Sequence, residues 1–312
     1  MLFWPGSKVN GERLFGSYIS LPYGRLYDVN LDGSKLDFST FGATTFIRWS
    51  FRGANMKNIS TDAHGEEVYG NAEFIDCDFT NADISGAEFA HLCPQNLTQT
   101  ANYKLRDLSN TKISSWTHWS DPNELKREPF ARHDEDFSWS VPNYDPPNLD
   151  FSSFNLENSR LPGDLRGCNF TDTQINGAII GSDVFAEVNH RNRHCILDQL
   201  KSTQNNKLGV FTNVTFVGHN FSGMDFSYMN LTGCRFLSRS GGASLKCNFQ
   251  DAIFTNAVIS NCDFSGAENL TLEQIKSTWN YKVSRMKGIV LHKELQLGLS
   301  GSFGYLSLSR RF

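Results

Sequence analysis

The stretch Asn71-Ala72-Glu73-Phe74-Ile75-Asp76-Cys77-Asp78-Phe79-Thr80-Asn81-Ala82-Asp83-Ile84 carries a large apolar residue at every fifth position: Phe74, Phe79 and Ile84. Two residues before each stands a small one, Ala72, Cys77 and Ala82, and an acidic residue separates the two. A period of five fits neither a helix at 3.6 nor a strand at 2. It fits a chain that bends every five residues with one large side chain inward per side. The small residue points inward as well, because two steps along extended backbone return to the same face.

The same ladder runs in both directions from this stretch. Upstream, Leu26, Leu31, Leu36, Phe41, Phe46, Phe51 and Met56 recur without a miss, and Phe89 continues the block downstream. Later blocks are Leu165, Phe170, Ile175 and Ile180, then Phe216, Phe221, Phe226, Leu231 and Phe236, then Phe249, Phe254, Ile259 and Phe264. Shorter pieces, Leu149 with Phe154 and Leu156 with Leu161, fall between. The consensus is small–Asp/Asn–Leu/Phe–Ser/Thr–any, and it accounts for 25 Phe in a chain of mean hydropathy −0.39. Four sides make a coil of about 20 residues, and coils stacked by parallel pairing rise about 4.8 Å each. The expected structural core is this ladder.

With Asn261-Cys262-Asp263-Phe264-Ser265-Gly266-Ala267 added, these blocks resemble the pentapeptide-repeat family. The resemblance implies an all-β solenoid, the right-handed quadrilateral parallel β-helix of that family; breaks in the period add short helical excursions and one long irregular insert. It implies little about function, because a fold hosts many functions. The expected segments are an N-terminal cap (1–22), a first β-helix part (23–113), an insert (114–147), a second part with helical excursions (148–290) and a C-terminal cap (291–312).

A longer motif also recurs. Gln199-Leu200-Lys201-Ser202-Thr203-Gln204-Asn205-Asn206-Lys207 aligns with Gln274-Ile275-Lys276-Ser277-Thr278-Trp279-Asn280-Tyr281-Lys282, and a shortened copy reads Asn96-Leu97-Thr98 followed by Thr100-Ala101-Asn102-Tyr103-Lys104. Thr271 and Gln274 have capping-box spacing, so a short helix is expected from Leu272. Three copies of the motif favour a structural device over an active centre at Asn280, Tyr281 and Lys282. The Thr-Trp-Asn-Tyr-Lys element resembles one in pentapeptide-repeat effectors that enteric bacteria deliver by type III secretion.

Between Ser114 and Pro147 the period vanishes, and three of the six Trp fall here with a cluster of Pro. An aperiodic insertion longer than about 15 residues is either functional or disordered, and Trp and Tyr argue against disorder. Trp116, Trp119, Trp139 and Tyr144 are the candidate partner-binding residues, since Trp and Tyr dominate hot spots; a loop folded back to bury them is the alternative. The tail alternates loosely from Leu295 to Phe312 and is expected to cap the last coil.

Composition narrows function further. No apolar run approaches the ~20 residues needed to span a bilayer, and Met1-Leu2-Phe3-Trp4-Pro5-Gly6 lacks the basic and apolar regions of a Sec signal. Net charge is −4 with a pI near 6.1, so nucleic acid is not an expected partner. Cys77, Cys168, Cys234, Cys247 and Cys262 occupy the small inward position, as space-fillers. His190-Arg191-Asn192-Arg193-His194-Cys195 lacks the paired spacing of a zinc site. Gly241-Gly242 lacks the Lys-Ser/Thr of a phosphate loop. Asn58, Asn96, Asn169, Asn213, Asn220, Asn230 and Asn269 match the glycosylation pattern only because the repeat generates Asn-apolar-Ser/Thr.

The expected function is therefore a non-catalytic protein–protein interaction scaffold, with no cofactor and no metal. In its fuller form it is a bacterial effector acting on a host protein. It is cytoplasmic, or it is secreted by a leaderless route. One alternative is a protein that binds DNA gyrase by imitating DNA, which calls for an unbroken acidic stripe. A second is the substrate-binding part of a larger, ubiquitin-ligase-like effector.

Overall fold

A computed structural model describes residues 18–19, 25–41, 45–61, 72–116, 148–162, 165, 167–181, 197–238 and 246–299. The chain divides into two compact units, Met1–Leu149 and Asp150–Phe312.

In the first unit every described strand pair is parallel. β1 (Tyr18–Ile19) pairs with β3 (Thr40–Phe41), and β2 (Arg25–Tyr27) pairs with β4 (Thr45–Ile47), which pairs with β5 (Glu73–Ile75). β6 (Glu88–Leu92) pairs with β7 (Lys112–Trp116). Single bridges complete the register: Arg25–Thr45, Asn30–Ser50, Lys35–Asn55 and Thr40–Ser60 all lie twenty residues apart. Four contact points at five-residue intervals therefore define one coil. The next coil pairs Thr45 with Glu73 and Ser60 with Glu88, twenty-eight residues apart, so the extra chain between Thr61 and Ala72 leaves the register of the ladder intact.

The second unit follows the same rule. β8 (Arg160–Leu161) pairs with β9 (Ile179–Ile180), β9 with β10 (Thr215–Val217), and β10 with β11 (Arg235–Leu237). β12 (Cys247–Asn248) pairs with β13 (Ala267–Glu268). All are parallel.

Inside each unit the large residues stack into an aromatic column. Phe41, Phe46, Phe51, Phe79 and Phe89, with Leu31 and Leu36, are fully buried, and Phe74 is 3% exposed. Phe170, Phe216, Phe221, Phe226, Phe249, Phe254 and Phe264 are likewise buried. Phe46 stacks on Phe74 at 5.2 Å, and Phe221 stacks on Phe249 at 5.3 Å.

The position that the consensus leaves open is in fact constrained. Two residues after the inward one, the backbone turns left-handed: Gly33 (φ 66), Gly53 (φ 62), Asn81 (φ 59), Tyr228 (φ 62) and Asn256 (φ 56) are examples. The following N–H then closes a turn, as Ser34 donates to the Leu31 carbonyl and Ala257 to that of Phe254. This is a type II turn, which favours Gly or Asn at that site. Where an Asp or Asn precedes the inward residue, it supplies the other half of the bend. Asp78 accepts from Thr80 N–H at 2.8 Å and Asp225 from Ser227 N–H at 2.8 Å, both Asx-turns.

The end of the second unit differs from the expected alternation. Lys293–Leu299 forms a helix, not an alternating strand, and Leu299 is buried. Leu295 and Gln296 N–H groups turn back onto the His292 carbonyl, and Gln296 Nε2 donates to Leu291 O at 2.7 Å. Gly298 lies against Leu272, where an added Cβ would come within 3.2 Å of Leu272 Cδ2. The rest of the expected C-terminal cap, and most of the N-terminal one, lie outside the described residues.

Candidate functional site

The recurring nine-residue motif forms a pair of short helices in each copy. They are α1 (Pro94–Gln99) with α2 (Ala101–Lys104), α3 (Leu197–Ser202) with α4 (Gln204–Leu208), and α5 (Leu272–Ser277) with α6 (Trp279–Lys282). α5 starts at Leu272 with both halves of the Thr271–Gln274 capping box in place. The first copy is not shortened, because Gln99 fills the place of Ser202 and Ser277 and all nine positions correspond.

Each Thr between the two helices caps the second one: Thr100, Thr203 and Thr278 accept from the N–H of Tyr103, Asn206 and Tyr281. The Asn of the motif turns inward and replaces a strand. Asn102, Asn205 and Asn280 are buried, and each Oδ1 accepts the N–H of the inward Ile on the coil below (Ile84, Ile175, Ile259) at 2.7 Å. A helix cannot present a ladder carbonyl there, so the amide side chain supplies one. The motif Lys then caps a left-handed corner: Lys104 donates to Asn81 Oδ1 (2.6 Å), Lys207 to Asp172 Oδ1 (2.7 Å) and Lys282 to Asn256 Oδ1 (2.7 Å). The helix pairs therefore stay in register with the coil. Asn280 is spent on architecture, while Lys282 holds its corner through a hydrogen bond to a neutral amide and keeps its charge.

What the motif leaves outside is apolar. The residue after each Lys is exposed: Leu105 at 77%, Leu208 at 68% and Val283 at 42%. Sequence reasoning passed over these three, although their shared place after the motif Lys marks them. Phe38 and Tyr228 are exposed aromatics at left-handed corners.

The outward columns carry mixed charge. In the first unit Asp28 pairs with Arg48 at 2.7 Å, Asp83 with Lys57 at 3.2 Å and Glu88 with Lys112 at 3.2 Å. One column of the second unit reads Ile179, Thr215, Arg235, Asp263, Val290, with Thr215 buried, and another reads Val210, Asn230, Val258. No unbroken acidic stripe runs along these described faces.

The inward cysteines are buried thiols that form no disulfide. Burial pushes Cys77, Cys234 and Cys247 up to about 12 and Cys262 well above its ordinary value. Such thiols are poor nucleophiles at neutral pH. Among the described residues no three His, Cys, Asp or Glu side chains converge as a metal site, and no helix is long and apolar enough to cross a membrane. Of the candidate recognition residues, Trp116 ends β7, with its backbone opposite Leu92. Trp119, Trp139 and Tyr144 lie outside the described residues, as does the His190–Cys195 cluster.

The model of the family described as pentapeptide repeats (8 copies) matches residues 245–268. Residues 245–268 carry pentapeptide repeats. No curated protein sequence matches it. Among solved structures it is similar to full-length QnrB1, a plasmid-mediated fluoroquinolone resistance protein, at 13% identity and TM-score 0.24, covering 96% of this chain and 100% of that one. A trypsin-treated QnrB1 gives 14%, TM-score 0.22, and 95% and 99% coverage. HetL, a pentapeptide-repeat protein involved in heterocyst differentiation in the cyanobacterium Nostoc, gives 13%, TM-score 0.13, and 84% and 72% coverage. The pentapeptide assignment stands on the five-residue bridges and the matched repeats, not on these superpositions.

Proposed function

We propose that this protein is a non-catalytic protein–protein interaction scaffold. Its coils form a right-handed, four-sided β-helix (23–113 and 148–290), interrupted by a recognition insert at 114–147 and closed by caps at 1–22 and 291–312. The observation that carries this reading is where the polar side chains go. The motif Asn and Thr residues and the inward cysteines are consumed in holding the coil together, and each motif Lys caps a corner. What remains for recognition is outer surface and the Trp-rich insert. Trp116, Trp119, Trp139 and Tyr144 anchor the partner in this reading, as large, rigid side chains that concentrate binding energy. Acting on a host protein after delivery by a bacterium is its more specific form.

The test is capture by immobilised wild type and by the Trp116→Ala/Trp119→Ala/Trp139→Ala variant, with circular dichroism confirming that both fold. A purified partner must bind wild type and lose at least about tenfold in affinity for the variant. Equal binding by the two proteins sinks the insert as the recognition site. Screening bacterial and mammalian partners separately decides between resident and delivered forms. A gyrase supercoiling assay in parallel tests DNA mimicry, for which inhibition at stoichiometric protein is the positive result.

A further inference from the structure

The last helix pair of the second unit differs from the preceding one in charge. Its corner cation, Lys282, caps the neutral Asn256, whereas Lys207 at the same place in the preceding copy caps and neutralises Asp172. Three residues on, the Arg285 guanidinium lies over the Trp279 ring, 5.7 Å from its centroid. Lys287 is exposed on the next turn. Among the described residues none of these three cations has a carboxylate within ion-pair distance. Arg48, Lys57 and Lys112 of the first unit, by contrast, each bridge to an acid on a neighbouring coil. Glu273 is occupied by Lys276 at 3.0 Å, and Asp263, one coil below, accepts the Ser265 N–H. Val283 and Val290, 42% and 41% exposed, belong to the same stretch of chain.

Uncompensated cations beside a Trp face and two exposed valines are complementary to carboxylates interleaved with apolar side chains. We infer that the surface from Trp279 to Val290 binds a short acidic, apolar-containing segment of a partner protein. Arg285 and Trp279 are the anchor and Lys282 and Lys287 the flanking charges. Three cations match a few carboxylates better than a continuous phosphate backbone, and the two valines have no counterpart on a phosphate chain. This site is independent of the insert, so either reading can fail without the other.

Fluorescence anisotropy with a labelled peptide alternating Glu and Leu tests the assignment on the full-length protein. The expected result is saturable binding that weakens with added salt and disappears for the matching Gln–Leu peptide. Arg285→Glu and Lys287→Glu should each weaken binding by about tenfold or more. Lys35→Glu makes the same change in net charge on an exposed site of the first unit and should leave binding unchanged. Three results overturn the assignment: no saturable binding, equal weakening by Lys35→Glu, or tighter binding of a labelled DNA oligonucleotide than of the peptide. All these substitutions are at exposed positions, and circular dichroism confirms that each variant is folded.

Discussion

Several left-handed corners of a coil sit against the corner above, and the side chains at these corners come in matched pairs. Where the lower corner is Asn58, Asn158, Asn213 or Asn261, the upper one is Gly86, Gly177, Gly233 or Gly288, with the Asn Oδ1 against the place a Cβ would occupy. Where the next coil is a helix pair, a Lys takes the place of the Gly. Gly223 is also left-handed but has open space around it. Gly223→Ala should therefore cost only the left-handed penalty, roughly 1–2 kcal/mol. Gly233→Ala should cost about 1–3 kcal/mol more, from overpacking against Asn213. Urea unfolding of both variants, of Asn213→Ala and of Asn213→Ala/Gly233→Ala checks this. The double variant should show a coupling of about 1 kcal/mol or more in the relieving direction, and strict additivity would contradict the corner pairing.

Ionisation at single residues gives stability a defined pH window. Hydrogen bonding to Arg48 holds Asp28 below the ordinary carboxylate value, and the Ser227 hydroxyl and amide do the same for Asp225. For Asp83 burial works upward, but the Ser85 and Lys57 hydrogen bonds outweigh it. A carboxylate lowered in the folded state contributes fully above its unfolded value of about 3.9 and loses that contribution as pH falls through the folded value. The buried thiols act in the opposite sense. Raised in the folded state, they contribute fully below about 8.5 and lose it as pH climbs toward the folded value. The urea midpoint should thus be level from about pH 5 to 8 and fall on either side. Replacing Cys234 and Cys262 with Ala should make the alkaline limb shallower, and an unchanged slope would remove the thiols from the account.

For the helix pair, structure and chemistry make different demands on Asn280. Its Oδ1 holds Ile259 N–H, and its Nδ2 donates to Ser260 Oγ at 3.0 Å and to Arg285 O at 3.1 Å. Asn280→Ala strands the buried Ile259 amide and should cost about 2–4 kcal/mol in thermal or urea unfolding. Lys282→Ala, on an exposed corner, should cost at most about 1 kcal/mol. A catalytic Asn would reverse that order, with little change in stability.

The sequence made part of this element legible. The Thr271–Gln274 spacing located the first residue of α5, and the ladder at Phe74, Phe79 and Ile84 marked the inward face, because both signals are local. The role of Asn280 was not legible, since its partner Ile259 lies twenty-one residues away and only the coil register brings them together. The αL requirement was half visible. Gly33, Gly53 and Asn81 suit it, but Phe38 and Tyr228 occupy the same corner and blur the consensus to any residue. The helix at Lys293–Leu299 was missed because Leu295, Leu297 and Leu299 read equally as a period of two.

At the scale of the whole molecule, stacked coils touch only their neighbours, so stability within a unit is a sum of local terms. Phe249 is a junction in the second unit. Its ring lies 5.3 Å from Phe221, 5.0 Å from Phe236, 5.6 Å from Phe254 and 5.8 Å from Phe264, so it bridges the coil before its own. Phe249→Ala removes those contacts at once and should cost about 3–5 kcal/mol. Phe249→Leu keeps most of the volume and should cost roughly 1.5 kcal/mol or less. Nearest-neighbour coupling also predicts where the damage appears. Phe221 N–H bonds to Asn248 O at 2.8 Å and Phe249 N–H to Glu268 O at 3.0 Å, so hydrogen exchange should quicken first across residues 216–236 and 247–268. The ladder around Phe151 and Phe170, farther down the same unit, should keep its protection until higher denaturant. If exchange instead quickened evenly from Asp150 to Leu299, the unit would be a single cooperative block, and the inward Phe column would be one core rather than a chain of adjacent ones.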